Sequence, residues 1–248
     1  MASIGIIGAG AVGQALAQRL WERGYEVYLV KRPHQRMQMP VHVLTSCQDL
    51  PWPALQALLL CVKDRQIQSL SEAIRPVAPP HLPVAHTAGS VSIETLGTYK
   101  QRGVVYPLQS FSAGMPVKWG TFPIFWEGPE VFEHIAQDLA MNAQQVFFAD
   151  SFTRLEIHLG AVFAANFTNA LVQIAQTIVG PRWGHEIYMP LLETVVAKLH
   201  RLSPREAQTG PARRGDEETL RQHIAYLQEK WPQAATIYAL LSQFITKM

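Results

Sequence analysis

The sequence predicts an α/β chain in two parts. A mostly parallel sheet interleaved with helices occupies residues 1–150, and an all-α part occupies 151–248. Three observations carry this reading. Short β-branched and aromatic runs alternate with helical segments from Ser3 to Phe148. A glycine-rich turn, Gly8-Ala9-Gly10-Ala11-Val12-Gly13, separates the first such run from the first helix. After Asp150 no strand-like run remains, and alternation followed by helices alone is the pattern of two domains.

In chain order, Ser3 to Ile7 reads as a buried strand, and a helix runs from Gln14 to Arg23 with Gly24 as its stop. Tyr25 to Val30 is the next strand, which completes a βαβ unit in about thirty residues. Val41 to Thr45 is a short strand. Ala57 to Val62, apolar throughout, is a strand covered on both faces. Asp64 is placed to cap a helix that reaches Ile74. Val84–Thr87 and Gly103–Tyr106 are strands, and Phe122–Trp126 and Gln145–Phe148 are two more around a helix from Pro129 to Met141. Helices are expected at 151–180, 186–202, 216–230 and 233–247, and Ser203-Pro204-Arg205-Glu206 is a capping box that starts a short one.

Composition narrows the function. The 248 residues are 48% hydrophobic and 16% charged with a net charge of +2, which excludes a disordered or collagenous chain. Lysine and arginine are scattered, so no nucleic-acid partner is expected. Two cysteines, Cys47 and Cys61, build neither a disulfide framework nor a cysteine zinc site, and a cytoplasmic, reducing setting fits them. The first residues lack the basic segment and cleavage site of a secretion leader. Leu159 to Val179 is long enough to span a bilayer. It carries Asn166, Thr168, Asn169, Gln173 and Gln176, each costly in lipid, and is expected to be a buried helix rather than a membrane segment.

The glycine-rich turn points to a ligand. Gly-x-Gly-x-x-Gly between a strand and a helix, with a second strand in register, is a dinucleotide-binding fingerprint. Gly8 serves the tight turn, Gly10 lets backbone approach a pyrophosphate, and Gly13 lets helix and strand pack closely. Ala9, Ala11 and Val12 complete the cradle at a helix N-terminus, which attracts anions. The second strand ends in Val30-Lys31-Arg32-Pro33 without the acid that bonds a ribose hydroxyl in NAD enzymes. Lys31 and Arg32 would pair with a 2′-phosphate, so NADP is the expected cofactor; ordinary solvated surface charge is the other reading.

Ligands of open α/β sheets bind at the carboxyl ends of strands. Three ends carry chemistry here: Cys61-Val62-Lys63-Asp64, His86-Thr87-Ala88-Gly89-Ser90 and Tyr106-Pro107-Leu108-Gln109-Ser110-Phe111. His86 is a candidate acid or a packed core histidine. Thr87, Ala88 and Gly89 are small enough for a nicotinamide ring to lie against backbone. On a uniform helix His158, Asn169 and Gln176 fall within about 20° of one direction, with Asn166 and Gln173 to one side. That stripe either faces a ligand, with His158 and Asn166 the foremost candidates, or is a polar seam satisfied by neighbouring groups. In Ala207 to Asp216, Asp216 is a good N-cap, and Arg213 and Arg214 beside a Gly-Pro turn are placed to grip a carboxylate or phosphate.

The stretches Gly8–Gly13, His86–Ser90, Pro107–Phe111, His158 with Asn166, and Thr209-Gly210-Pro211 with Arg214-Gly215-Asp216 together resemble a family that pairs an NADP-type Rossmann-like domain with a helical "domain of unknown function 2520". Two departures are visible: Tyr106 stands where the family often has His, and Ala88 where Ser is common. The layout is similar to pyrroline-5-carboxylate reductase, ketopantoate reductase and the 3-hydroxyacid dehydrogenases. The resemblance implies a helical domain that dimerises and closes the nicotinamide site. The hydroxyacid and ketopantoate enzymes carry a lysine one turn before the asparagine of the interdomain helix. Here that position is Val162, and residues 151–180 contain no lysine, which favours imine over lysine-assisted carbonyl reduction. The expectation is an NADP(H)-dependent oxidoreductase acting on a small C=N or C=O substrate. His158 and Asn166 would orient the substrate or supply a proton, and Arg214 would bind a substrate carboxylate. The alternative is a non-catalytic NADP-binding sensor or scaffold.

Overall fold

The computed structural model describes residues 2–35 and 38–248. Their contacts divide them into two compact units, Met1–Ala164 and Ala165–Met248.

The first unit is an eight-stranded sheet with helices between its strands. In chain order the elements are β1 (Ser3–Ile7), α1 (Ala11–Glu22), β2 (Glu26–Val30), β3 (His42–Leu44), β4 (Ala57–Leu60), α2 (Ile67–Ile74), β5 (Val84–His86), β6 (Arg102–Pro107), β7 (Ile124–Glu127), α3 (Glu130–Ala140), β8 (Val146–Phe148) and α4 (Ser151–Ala161). The strand order is β3-β2-β1-β4-β5-β6-β7-β8. Every neighbouring pair is parallel except β6 and β7. Every residue of β1 and β4 is buried, because helices cover both faces of the sheet and leave no polar-out alternation. On one face Leu16, Ala17 and Leu20 of α1 share a core with Phe132, Ile135 and Leu139 of α3; on the other, Ile67 and Ile74 of α2 pack with Leu50, Trp52 and Leu58.

Chain progression reverses at β1: β2 and β3 lie to one side and β4 to β6 to the other. Such a switch point leaves a crevice beyond the carboxyl ends of the two flanking strands. The register Ile7↔Val30 and Ile7↔Leu60 brings three strand ends level, so Gly8, Lys31 and Cys61 emerge side by side. Gly8 N–H donates to the Val30 carbonyl at 3.0 Å and Cys61 N–H to the Ile7 carbonyl at 2.8 Å, which fixes that edge.

Three local expectations need correction. Asp64 does not cap α2, which starts at Ile67 after a single turn over Asp64–Gln66; its carboxylate instead accepts a 2.8 Å hydrogen bond from Ser90 Oγ. The helix expected over 151–180 is not uniform. It runs as α4, a π-helical stretch at Val162–Phe167, and α5 (Thr168–Val179). The π turn changes the angular phase, so alignment of His158 with Asn169 and Gln176 at 100° per residue does not hold. The same helix is not buried: Arg154 is the one residue of α4 classed as buried, and none in α5 is. Ser151–Val179 is long and apolar enough by mean hydropathy, 1.3, to cross a membrane. The contact boundary falls inside the π stretch, because the buried Arg154 ties α4 to the sheet.

The second unit, Ala165–Met248, contains no strand among the described residues. Beyond α5 it has α6 (Met189–Leu199), α7 (Pro204–Ala207), α8 (Pro211–Arg214), α9 (Glu217–Lys230) and α10 (Pro232–Lys247). The Ser203–Glu206 capping box forms as expected. Gly215 ends α8 in the left-handed region, at φ +69°, and Asp216 caps α9 through Thr219. Gln176 donates to the carbonyls of Gly180 and Trp183, and so closes the end of α5 rather than facing a ligand. Of the unit's hydrophobic side chains only Ala212, Leu227 and Ala235 are buried among the described residues.

Candidate active site at the strand ends

The glycine-rich turn is shaped by backbone packing. A Cβ on Gly8, whose φ is +111°, would run into the carbonyl of Cys61, and one on Gly13 would run into the carbonyl of Gly8. Both positions therefore exclude a side chain. Gly10 differs: its φ of −74° suits any residue, and a Cβ built there meets nothing within 4 Å. The protein itself does not require glycine at position 10. Open space lies before it, where a pyrophosphate would fit against bare backbone. Gly10 is the N-cap of α1 and provides no side-chain hydrogen bond, and the first turn holds no acid, so the positive end of the helix faces outward. Gln14 and Gln35 both donate side-chain amides to the Ala9 carbonyl, at 2.8 and 2.5 Å, and hold the turn in shape.

Beside the turn lies a cavity of about 740 Å³ lined by Gly8, Ala9, Gly10, Lys31, Arg32, Cys61 and Val62, all expected from the sequence. It is also lined by Lys63 and Arg65, which the reading of the second strand alone missed. The signal for them was present, since the turn after β4 borders the same switch point. Four cations and, among the described residues, no carboxylate line this space. Lys31 Nζ folds back onto the carbonyls of Arg32 and Pro33, at 3.4 and 3.3 Å, and shapes its own loop. Arg32 is exposed and has no ion pair among the described residues. These residues fit an adenine dinucleotide with an additional phosphate. Cys61 and Val62 serve as wall. Burial pushes the Cys61 thiol up to about 12, opposed by a hydrogen bond with Thr87, so no thiolate forms there.

The second half of the site is built by β4, β5, β6 and α4. The register Leu60↔His86↔Val104 sets Thr87, Ala88 and Gly89 beyond the end of β5. Tyr106 on β6 is 9% exposed, and its hydroxyl lies 3.0 Å from Nδ1 of His158 on α4. A Cβ on Gly89 would come within 2.6 Å of His158 Nδ1 and 2.7 Å of Tyr106 Cζ, so both rings rest directly on this loop. Burial holds the Tyr106 phenol above its usual range, so it carries its proton at neutral pH. The residue that appeared in sequence as a departure from a family histidine is thus hydrogen-bonded to a histidine from another element.

His86 does not serve as an acid. It is fully buried, its Nδ1 accepts from the Ala88 N–H at 3.2 Å, and burial, reinforced by the charge of Arg154, pushes its pKa down to about 4. It is a neutral, packed residue that shapes the Thr87–Gly89 loop. Asn166 lies exposed in the π stretch, and Arg214 is the exposed last residue of α8; both belong to the second unit.

The depressed pKa of His86 sets a pH dependence. Below the unfolded value of 6.5 the unfolded chain binds a proton that the folded chain refuses until about pH 4, so stability is lost as pH falls through that window. Between pH 7 and pH 5 this group alone removes about 2 kcal/mol. Urea unfolding at the two pH values measures the loss, and His86→Gln is expected to flatten it by that amount whatever its effect at pH 7.

Residues 122–245 match the family described as domain of unknown function (DUF2520), and residues 3–87 match the family described as NADP oxidoreductase coenzyme F420-dependent. No curated protein sequence matches the chain. Among solved structures, a protein from Bacteroides fragilis described as an NADP oxidoreductase is similar at 28% identity and TM-score 0.85, over 100% of this chain and 98% of that one. A protein from Thermotoga maritima is similar at 18% identity and TM-score 0.74, over 98% and 97% of the two chains. A reductive aminase from Aspergillus terreus, solved with NADPH and ethyl levulinate, is similar in fold at 15% identity and TM-score 0.69, over 100% and 93%. With a Rossmann-like sheet at its start and a match over residues 122–245, half of its length, the chain belongs to the DUF2520 family, and the part that precedes this match is similar to the NADP oxidoreductase family over residues 3–87.

Proposed function

We propose that this chain is an NADPH-dependent reductase of a small C=N or C=O substrate, with the C=N class favoured. One observation carries the reading: a protonated tyrosine, Tyr106, hydrogen-bonded to His158 and resting on Gly89 at the strand ends beside the nucleotide cradle. NADPH, when bound, supplies the hydride. Lys31, Arg32, Lys63 and Arg65 hold its charged groups, and Thr87 to Gly89, beyond the end of β5, face its nicotinamide. With His158 in the tautomer that donates from Nδ1 to the Tyr106 oxygen, the phenolic hydrogen is free to be given to a substrate nitrogen or oxygen; the Nδ1–H then stabilises the tyrosinate left behind, which takes a proton back from water. A neutral imine becomes electrophilic once its nitrogen takes up this proton, and hydride addition at its carbon then gives the amine, a course that needs no lysine and agrees with the absence of lysine from 151–180. Asn166 is proposed to orient the substrate. Arg214, exposed and without an ion pair among the described residues, is proposed to bind a substrate carboxylate. The compartment proposed is the reducing cytoplasm, in keeping with two unpaired cysteines.

A second copy of the chain is the proposed partner. Leu155, Leu159 and Leu171 along the long helix, Leu191, Val195 and Leu199 on α6, and Leu240, Leu241 and Phe244 on α10 are all exposed. A unit with three buried apolar side chains is far short of the core that offsets chain entropy. Like surfaces meeting about a two-fold axis would bury these stripes. A bilayer is the poorer occupant, because the same helix holds a buried ion-paired arginine, Arg154, and eight amide or hydroxyl residues.

Three measurements test these proposals. Calorimetric titration of Arg32→Glu is expected to show NADPH affinity falling about 10- to 100-fold with little change for NADH; equal affinities before and after would refute the phosphate role. A panel of cyclic imines and 2-oxoacids with NADPH, followed at 340 nm, is expected to give turnover that Tyr106→Phe lowers about 10²- to 10⁴-fold and His158→Gln lowers less, at unchanged NADPH affinity. Tight NADPH binding with no oxidation by any member of the panel supports the sensor or scaffold reading instead. Light scattering is expected to give twice the 27.7 kDa chain mass, with Leu191→Asp/Val195→Asp shifting the species to monomer.

A further inference from the structure

Arg154 is the largest side chain in the molecule that is completely buried among the described residues, and no step above uses it. Its guanidinium donates from Nη1 to Glu127 Oε2 at 2.5 Å and from Nη2 to the Val91 carbonyl at 2.5 Å, with longer contacts to the Ala149 carbonyl and Ser151 Oγ. Ser151 Oγ donates to Glu127 at 2.9 Å and accepts from the Ile93 N–H at 2.9 Å. These bonds join the end of β7, the start of α4 and the loop that follows β5.

The contacts form a series. Ile93 meets Ser151, Val91 meets Arg154, and Gly89 meets His158. The loop steps back by two residues as the helix steps forward by one turn. The loop bends over Gly89–Val91 and starts a single tight turn at Ile93, so that alternate residues of it meet successive turns of α4 over the three rungs. The third rung is the one that carries His158 and its bond to Tyr106. Side chains on a helix lean toward its N-terminus, which brings His158 over the turn that Arg154 anchors.

Stability alone is a weak reason for such a group. A buried ion pair is often matched or bettered by apolar residues of similar volume, whereas a guanidinium fork fixes direction and distance. We infer that Arg154, held by Glu127 and Ser151, is a positioning residue that sets the register of α4 against the Gly89–Ile93 loop and thereby places the His158 ring on Tyr106. The inference rests on the proton-donating role proposed above for that pair. The charge of Arg154 also acts on Tyr106, opposing the upward push of burial on its phenol and easing release of the proton.

The test reads the histidine ring directly and needs no substrate. Long-range ¹H–¹⁵N spectra of the imidazoles resolve the nine histidines, and loss of one set in His158→Gln assigns that ring. In the intact protein the His158 nitrogens are expected to report one hydrogen-bonded tautomer, and Tyr106→Phe to shift Nδ1. In Arg154→Met, folded by circular dichroism and binding NADPH within about threefold of the parent, His158 is expected to show the averaged signals of a mobile ring. Arg154→Lys, which keeps the charge but not the fork, is expected to restore them only in part. His158 signals in folded Arg154→Met that coincide with the parent's would overturn the inference. Should Arg154→Met not fold, Ser151→Ala, which removes the bonds of Ser151 to Ile93, Glu127 and Arg154 while the guanidinium stays, is read by the same two outcomes. The two proposals fail separately. If Tyr106→Phe leaves imine reduction unchanged while the His158 ring still depends on Arg154, the proton-donor role falls and the positioning role stands.

Discussion

Gly8 lies against the carbonyl of Cys61, and Gly13 lies against the carbonyl of Gly8, each with no room for a Cβ. This pair of backbone contacts presses the first turn, the first helix and β4 into one block. Everything functional in the first unit is placed relative to that block. It brings the carboxyl ends of β2, β1 and β4 level, opens the crevice beside them and aims the positive end of α1 into it. Loosening either contact by one methyl group would move the helix away from the strand, and the cradle and the cationic cavity would part together.

Charge is used in two opposite ways within the same unit. In the cavity, Lys31, Arg32, Lys63 and Arg65 face open space with no acid among the described lining residues, an arrangement that waits for an anion. Behind the strand ends, Arg154 is shut away from solvent and matched to Glu127, an arrangement already complete. The first kind of charge binds and the second kind holds. Between them lie the packed, neutral His86, the protonated Tyr106 and the half-buried His158. A largely desolvated setting is where moving a single proton has the greatest effect on a reacting bond.

The parts legible in the sequence were those written in local chemistry. Strand runs, the glycine turn, the Ser203 and Asp216 caps and the Lys31-Arg32 ending depend on neighbours within a few residues, and each has a recognisable pattern. What escaped depends on distance along the chain or on depth. Tyr106 and His158 are 52 residues apart, and no periodicity links them. His86 reads as either an acid or a packed histidine, and only its enclosure by the sheet decides for the second. Arg154 is a residue type that is ordinarily solvated on a helix, and only the packing of α4 on the sheet shuts it away. The polar stripe failed for another reason: a constant angle per residue was assumed across a helix whose winding changes at Val162–Phe167. The covered central helix failed because the apolar length of a segment says that it will be buried, not by what.

The three glycines of the fingerprint are usually treated as one signature, yet the space around them divides them. Two are compelled by the polypeptide's own architecture, and the middle one is not. Variants selected only for thermal resistance would therefore keep the outer pair and drift freely at the centre. A lineage that abandoned its coenzyme would leave the same trace, with the outer glycines surviving as relics of the fold and the inner one the first to be lost.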